Sequence, residues 1–370
     1  MKFKSNTKEL SDLLSNVLPA ISMRNTLPAL SHFLVEAKDN TLSVYGTDLE
    51  IGIKSSIETK VEEEGSLTMP AKKLTDIINV IDAKEIGISK VSENECEITA
   101  SDESTRFKIM AGETEEFPIL PNLNEDISIE IKVSQLKKKI EKTIFSVSRD
   151  ESRYVLCGIL FESDGKNFNM ISTDGRRLSM FKSKLGKEER KFKAIVPTKA
   201  TSILERALQK DGEKVKININ YKENQIYFTF GRTIIYSRLI EGDYPNYNQV
   251  IPDKSTKTIK IATADMHKAT RQMTAVTTKT SLAVKYNFTK DEAIVSVNSP
   301  EVGSGICTVP AKNSGDEIEI SFNPEFILHI LKVIKSEAVN LELTTSINPG
   351  KIIPVSEEES FVGVVMPMRL

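Results

Sequence analysis

The residues of this chain that could do chemistry are few and scattered. Its three histidines, His32, His267 and His329, stand far apart, without an HExxH arrangement or a carboxylate at ligand spacing, so metal-assisted hydrolysis lacks its ligands. Cys96, Cys157 and Cys307 show no CxxC spacing, which argues against a zinc site or a disulfide framework and leaves them as small core residues. Gly303-Ser304-Gly305 has the wrong spacing for a GxSxG nucleophile elbow and reads as a flexible loop. The Gly-Lys pairs at 165–166, 186–187 and 350–351 lack the preceding glycine and the following hydroxyl residue of a phosphate loop, and read as turns. Glutamate runs at 62–64 and 357–359 read as solvated loops. A triplicated enzyme would need titratable groups converging on one cleft, and the sequence offers none. The expectation is a protein with no catalytic residue, no metal and no cofactor.

The elements that carry these residues repeat. Pro70, Pro197 and Pro324 recur at intervals of 127 residues, each followed by an apolar pattern of helical period. Proline suits the first helical turn, because its φ is preset and its missing N–H would be unbonded there. The matched positions Ile77, Leu204 and Leu331, then Val80, Ala207 and Ile334, predict three helices of common phase. A second helix lies upstream in each unit, with Leu14, Leu18 and Ile21 matching Ile140, Ile144 and Val147, then Ala269, Met273 and Val276. Alternating segments such as FLVEAKDNTLSVYGTD, ILFESDGKNFNMISTD and VKYNFTKDEAIVSVNS follow as hairpins. More strands come after each proline helix. At 370 residues the chain fits three α+β domains, 1–125, 126–254 and 255–370, with breaks near Pro121 and Pro252. No apolar run approaches bilayer length and the N-terminus has no apolar core of a leader, so the expected compartment is the cytoplasm, away from membranes.

Charge is divided between element types. The predicted helices 7–18, 71–81, 134–148, 198–210, 264–278 and 325–335 together carry +7, against −2 for the whole chain, so everything outside them carries −9. Lysine suits exposed helix faces for propensity alone; the alternative is a helix-lined surface facing phosphates. Helices pack about 8 to 10 Å apart, so six in a circle leave a bore of about 7 Å, too narrow for duplex DNA, whereas twelve leave roughly 24 Å. A head-to-tail homodimeric ring of two such chains, helices inside and antiparallel sheets outside, would admit a duplex and close the terminal sheet edges.

Five segments, RNTLPALSHFLVEA at 24–37, RYVLCGILFE at 153–162, TDGRRL at 173–178, GDYPNY at 242–247 and MPMRL at 366–370, lie in register with the repeat, and with them the whole chain resembles the bacterial DNA polymerase III beta sliding clamp family. The resemblance implies a homodimeric ring of DNA-clamp domains that encircles duplex DNA without sequence preference. It also implies that the ring tethers the replicative polymerase and serves the clamp loader, translesion polymerases, mismatch-repair proteins and ligase.

It places a partner-peptide pocket on Leu156, Thr173, Gly175, Arg176, Arg177, Leu178, Pro245 and Val250, with Ile347, Val364, Met366, Pro367, Met368 and Arg369. Such a slot of leucine, valine, proline and methionine can take the Leu and Phe anchors of a short extended peptide. The local alternatives are gap filling for Met366 and Met368 and a plain hairpin turn for Asp174-Gly175. Arg176 stands where family members often have histidine, and Gln249 where a basic residue is frequent. For DNA the resemblance and the basic helices nominate Arg24, Lys72, Lys73, Arg149 and Lys199, with Asp150 a departure beside Arg149. For ring closure it points to Ile77, Ile81, Phe107 and Ile109 meeting Met273 and Val276, with Ile77 open to being ordinary core.

Overall fold

The computed structural model describes residues 1–22, 27–118, 126–185, 190–208, 214–278, 280–355 and 360–369. Two compact units emerge, one built from Met1–Ser134 with Ser202–Leu239, the other from Gln135–Thr201 with Ile240–Leu370. The six expected helices are α1 Thr7–Val17, α2 Ala71–Val80, α3 Val133–Thr143, α4 Thr198–Ala207, α5 Thr263–Thr274 and α6 Pro324–Val333. Asn6 caps α1 by accepting from the N–H groups of Lys8 and Glu9 at 3.0 and 3.2 Å. Asn323 does the same for α6 through Glu325 N–H at 2.9 Å, with Pro324 as the first helical residue.

Pro70 and Pro197 depart from the expected first-turn position. They close the strands Gly65–Pro70 and Phe192–Pro197, opposite His32 and Gly158, and the helix starts one residue later. The common phase also fails in α2, which buries Ala71, Leu74, Thr75 and Ile78, while Ile77 is half-buried and Val80 is 71% exposed. Its buried stripe is displaced by one residue, about 100° around the axis, from that of α6, which buries Ile327, Ile330 and Leu331. The upstream helices end before their third matched apolar residue. Leu18 and Ile144 sit in short 3-10 turns, while Ile21, Val147 and Val276 lie past the helix ends.

The first unit contains a five-stranded sheet, edged by Lys60–Glu63 and Arg106–Met110, and an eight-stranded one. The eight-stranded sheet is continuous because Ile51–Glu58 pairs antiparallel with Thr233–Arg238. Gly52 is required at that seam, since a Cβ there would lie 1.9 Å from the Tyr236 ring, whose hydroxyl meets Thr47 Oγ1 at 2.7 Å. The hairpin of His32–Lys38 and Thr41–Thr47 turns on Asp39 and Asn40, both at positive φ as a two-residue turn of this kind demands. In the second unit a twelve-stranded sheet runs from Phe192–Pro197 to Ile318–Phe322, joined where Arg177–Lys184 pairs with Ser360–Val365.

Several chemistry-poor motifs differ from expectation in their local structure. Gly303–Gly305 opens the strand Gly303–Asn313, and Gly350-Lys351 opens the strand Gly350–Pro354. Glu62 belongs to the edge strand Lys60–Glu63, where it pairs with Lys2 at 3.0 Å and Lys4 at 3.6 Å. Cys96 is buried, but Cys157 and Cys307 are only half-buried. The Gly-Lys pair at 186–187, the glutamates at 357–359 and Pro121 lie outside the described residues. The positive charge of the helices is not all on their exposed faces, and α3 is the exception. Lys139 and Lys142 are buried, with Lys139 Nζ 4.8 Å and Lys142 Nζ 5.3 Å from the centre of the Phe181 ring. Phe168 and Phe361 supply second aromatic faces, and Lys139 Nζ donates to the Phe168 carbonyl at 3.0 Å. Two of the helix cations therefore face the protein interior.

Candidate functional site

The site begins with a five-residue turn in the second unit, Thr173-Asp174-Gly175-Arg176-Arg177. Asp174 Oδ1 accepts the N–H groups of Arg176 and Arg177 at 2.9 and 3.0 Å, and Thr173 Oγ1 donates to the Arg177 carbonyl at 2.6 Å while accepting Gly175 N–H at 3.0 Å. Gly175 has φ +83°, a conformation that favours glycine, and a Cβ there would approach Arg153 Nη1 to 2.9 Å. Threonine, aspartate and glycine are thus each used for a local bond or angle that other residues supply poorly.

The C-terminal tail hangs from this turn. Strand Ser360–Val365 places Val365 opposite Arg177 and Val364 opposite Leu178. Beyond it Met366 N–H donates to the Arg176 carbonyl at 2.9 Å and Met368 N–H to the Ser321 carbonyl at 2.8 Å. Met366, Pro367, Met368 and Arg369 then form one wall of an open cleft of about 540 Å³, with Ile347, Ser346, Glu319, Ile320 and Ser321 forming the rest. Ile347 is 68% and Met366 39% exposed, so apolar surface faces solvent inside a groove with a carboxylate and a guanidinium at its margin.

Next to the tail lies an apolar floor. Leu178 and Val364 are buried with Leu160, Ile171, Ile195 and Val362, and Val155, Tyr244, Tyr247 and Ile251 pack onto them. Pro245 and Val250 are exposed on the segment that carries the two tyrosines. Leu156 is buried at 7% and its carbonyl accepts Ser148 N–H, and its neighbour Val155 packs against the floor. Tyr247 hydroxyl bonds Glu162, which also pairs with Lys193 at 2.8 Å; burial, then that carboxylate, raise the phenol's pKa. Arg177 is turned inward. Its side chain is 10% exposed and reaches Asp174, the Phe145 carbonyl and His329 rather than the cleft.

Of the fourteen pocket candidates, Ile347, Met366, Pro367, Met368 and Arg369 line the cleft and Leu178 and Val364 lie in the floor, while Glu319, Ile320, Ser321 and Ser346 line the cleft from segments that carry no motif. Val155, Tyr244 and Tyr247 were within reach, since they sit inside the quoted RYVLCGILFE and GDYPNY segments. Of the DNA candidates, Lys72 and Lys73 are exposed on the first turn of α2, Lys199 on the first turn of α4, and Arg149 just past α3. Arg24 lies outside the described residues. Of the closure candidates, Ile77, Phe107, Ile109 and Val276 are half-buried, whereas Ile81 and Met273 are buried at 7% and 5%.

Among the described residues no three His, Cys, Asp or Glu side chains gather closely enough to hold a metal, and no helix is long and apolar enough to cross a membrane. Three repeats of helix, strands, helix and strands carry this cleft, the architecture of a DNA-clamp type of protein. The chain matches the DNA polymerase III beta subunit N-terminal domain over residues 1–121, its central domain over 130–246 and its C-terminal domain over 248–369. It is 30% identical to the beta sliding clamp of Chlamydia muridarum, covering 100% of this chain and 99% of that one. It is also 30% identical to the beta sliding clamp of Escherichia coli over the full length of both. The crystal structure of the Bacillus subtilis DNA polymerase sliding clamp superposes with a TM-score of 0.95 at 27% identity, covering 100% of this chain and 99% of that one. The chain belongs to the DNA polymerase III beta subunit family.

Proposed function

We propose that the protein is a sliding clamp and processivity factor of the cytoplasm, acting as a homodimeric ring that encircles duplex DNA. Each chain contributes three domains, 1–125, 126–254 and 255–370, and holds DNA by topology and non-specific phosphate contacts from Arg24, Lys72, Lys73, Arg149 and Lys199. The replicative polymerase, the clamp loader, translesion polymerases, mismatch-repair proteins and ligase dock by short peptides with apolar anchors. The observation that carries this reading is the tail cleft. Its apolar wall of Ile347, Met366, Pro367 and Met368 is exposed, shaped and built on backbone hydrogen bonds, as an extended peptide ligand requires.

Ring closure is supported by two strand edges. Arg106–Met110 pairs on one side only, with Glu95–Ala100, and residues 303–310 of the strand Gly303–Asn313 pair only with Glu292–Ser299 among the described residues. Exposed apolar side chains mark both, Met110 at 68% and Ile306 at 72%, and Met273 packs behind Gly305. Two complementary edges on one chain give a heterologous contact that closes in a dimer. The test is topological. Loaded by a clamp loader onto nicked circular DNA, the protein stays bound and is released when the circle is cut. Equal retention on circular and linear DNA overturns the reading.

A further inference from the structure

His329 lies on the exposed side of α6, outside every group assigned above, yet it touches the residue that anchors the pocket turn. The Arg177 guanidinium uses all three of its nitrogens. Nε donates to Asp174 Oδ2 at 3.0 Å, Nη2 to the Phe145 carbonyl at 2.7 Å, and Nη1 meets His329 Nδ1 at 2.7 Å, with the guanidinium 4.5 Å above the Phe326 ring. Guanidinium nitrogens only donate, so His329 Nδ1 must offer its lone pair. The ring in this contact is therefore neutral. A proton on Nδ1 would remove the acceptor and set a second cation beside the first.

The consequence runs along covalent and hydrogen-bonded links. Arg177 bridges to Asp174, the same carboxylate that accepts the Arg176 and Arg177 N–H groups and so shapes the turn. The Arg176 carbonyl in turn holds Met366 N–H, the first residue of the cleft-forming tail. We propose that His329 is a positioning residue: neutral, it fixes Arg177 and through it the turn and the Met366–Arg369 tail, and protonated, it lets them loosen and weakens peptide capture. This rests on the reading of the tail cleft as a peptide site.

The surroundings set the direction of the effect. Partial burial and the Arg177 guanidinium lower the His329 pKa below its ordinary 6.5, helped by Lys332 on α6 and Arg149 past α3, and opposed by Glu325 on α6. The Phe145 ring, 6.2 Å away, completes the packing. The contact is thus intact at neutral pH and lost only as the pH falls through that lowered value.

The test uses the full-length chain without DNA and a rhodamine-labelled synthetic pentapeptide ending in Leu-Phe, followed by fluorescence anisotropy between about pH 5 and pH 8. Wild-type affinity should fall roughly tenfold towards acid, the scale of one charge-assisted hydrogen bond. His329→Asn, whose amide oxygen replaces Nδ1 as a proton-insensitive acceptor, should give a flat profile at the neutral wild-type level. His329→Lys should bind weakly throughout. Amide exchange at Met366, compared between wild type and His329→Asn at the same acidic pH, reads the coupling without peptide and should be faster in wild type. Identical pH profiles in wild type and His329→Asn, or identical Met366 exchange, overturn the inference. A wild type that binds no peptide at any pH, yet keeps the exchange difference, overturns the peptide reading alone.

Discussion

Met366 N–H donates to the carbonyl of Arg176 at 2.9 Å, so the last strand of the chain hands its tail directly to the turn between the strands Asn167–Thr173 and Arg177–Lys184. Residues far apart in sequence meet there because Ser360–Val365 extends the sheet of Arg177–Lys184 in strict antiparallel register. Residues 360–365 are paired within the sheet, and Met366, Pro367, Met368 and Arg369 line the cleft. The division of labour between sheet and tail therefore falls at one peptide bond.

Deleting Met366 to Leu370 should accordingly separate binding from folding. The loss comprises the two backbone hydrogen bonds of Met366 and Met368 and no strand pairing, a destabilisation of about 1–2 kcal/mol. Peptide affinity should fall by more than roughly tenfold in anisotropy, while sedimentation velocity still reports the dimer. Dissociation into monomers on deletion would assign the tail to ring closure instead.

Asp164 gives a pH signature in the hairpin between Gly158–Ser163 and Asn167–Thr173. Its carboxylate accepts from Asn167 Nδ2 at 2.8 Å and from the N–H groups of Asn167 and Lys166 at 2.7 and 2.9 Å, and these bonds, the side-chain one first, pull its pKa down to about 2. A carboxylate with a depressed folded-state pKa contributes its stability fully above the unfolded value of about 3.9 and loses it as pH falls through the folded value. Asp164→Asn should lower Tm by about 1–2 °C at neutral pH, small because the site is exposed. The gap should hold from pH 7 to about pH 5 and narrow below about pH 4. A gap that widened on acidification would contradict the assignment.

What the sequence discloses and what it hides follow from the range of the interactions. Asn6, Asn323 and Pro324 act on their own helix starts, and Asp39-Asn40 acts on its own turn, so these features are legible locally. The one-residue rotation of α2 is not, since Ile77 and Ile78 are equally apolar and only the packed neighbours choose Ile78. The far wall of the cleft is hidden for the same reason. Ser321 is an ordinary strand residue until Met368 N–H reaches its carbonyl. Most misleading are the lysines of α3, because lysine ordinarily signals solvent and the aromatic faces that admit Lys139 and Lys142 come from Phe168, Phe181 and Phe361.

Those lysines also supply a control for the DNA contacts. Lys72 and Lys73 are exposed on α2, whereas Lys139 and Lys142 are 0% and 2% exposed, so equal charge changes should have opposite consequences. Replacing Lys72 or Lys73 by alanine should leave Tm nearly unchanged and reduce the slope of log affinity against log salt on a short duplex by about 0.9 per residue. Lys139→Met should leave that slope unaltered and hold stability within about 1 kcal/mol, because methionine refills the space between the rings without needing a polar partner. Lys139→Ala, which empties the same space, should cost about 3 kcal/mol, read by denaturant unfolding. If Lys139→Met lowered the salt slope as far as Lys72→Ala does, the α3 lysines would be reaching phosphate after all, and burial over Phe181 would not describe the DNA-bound protein.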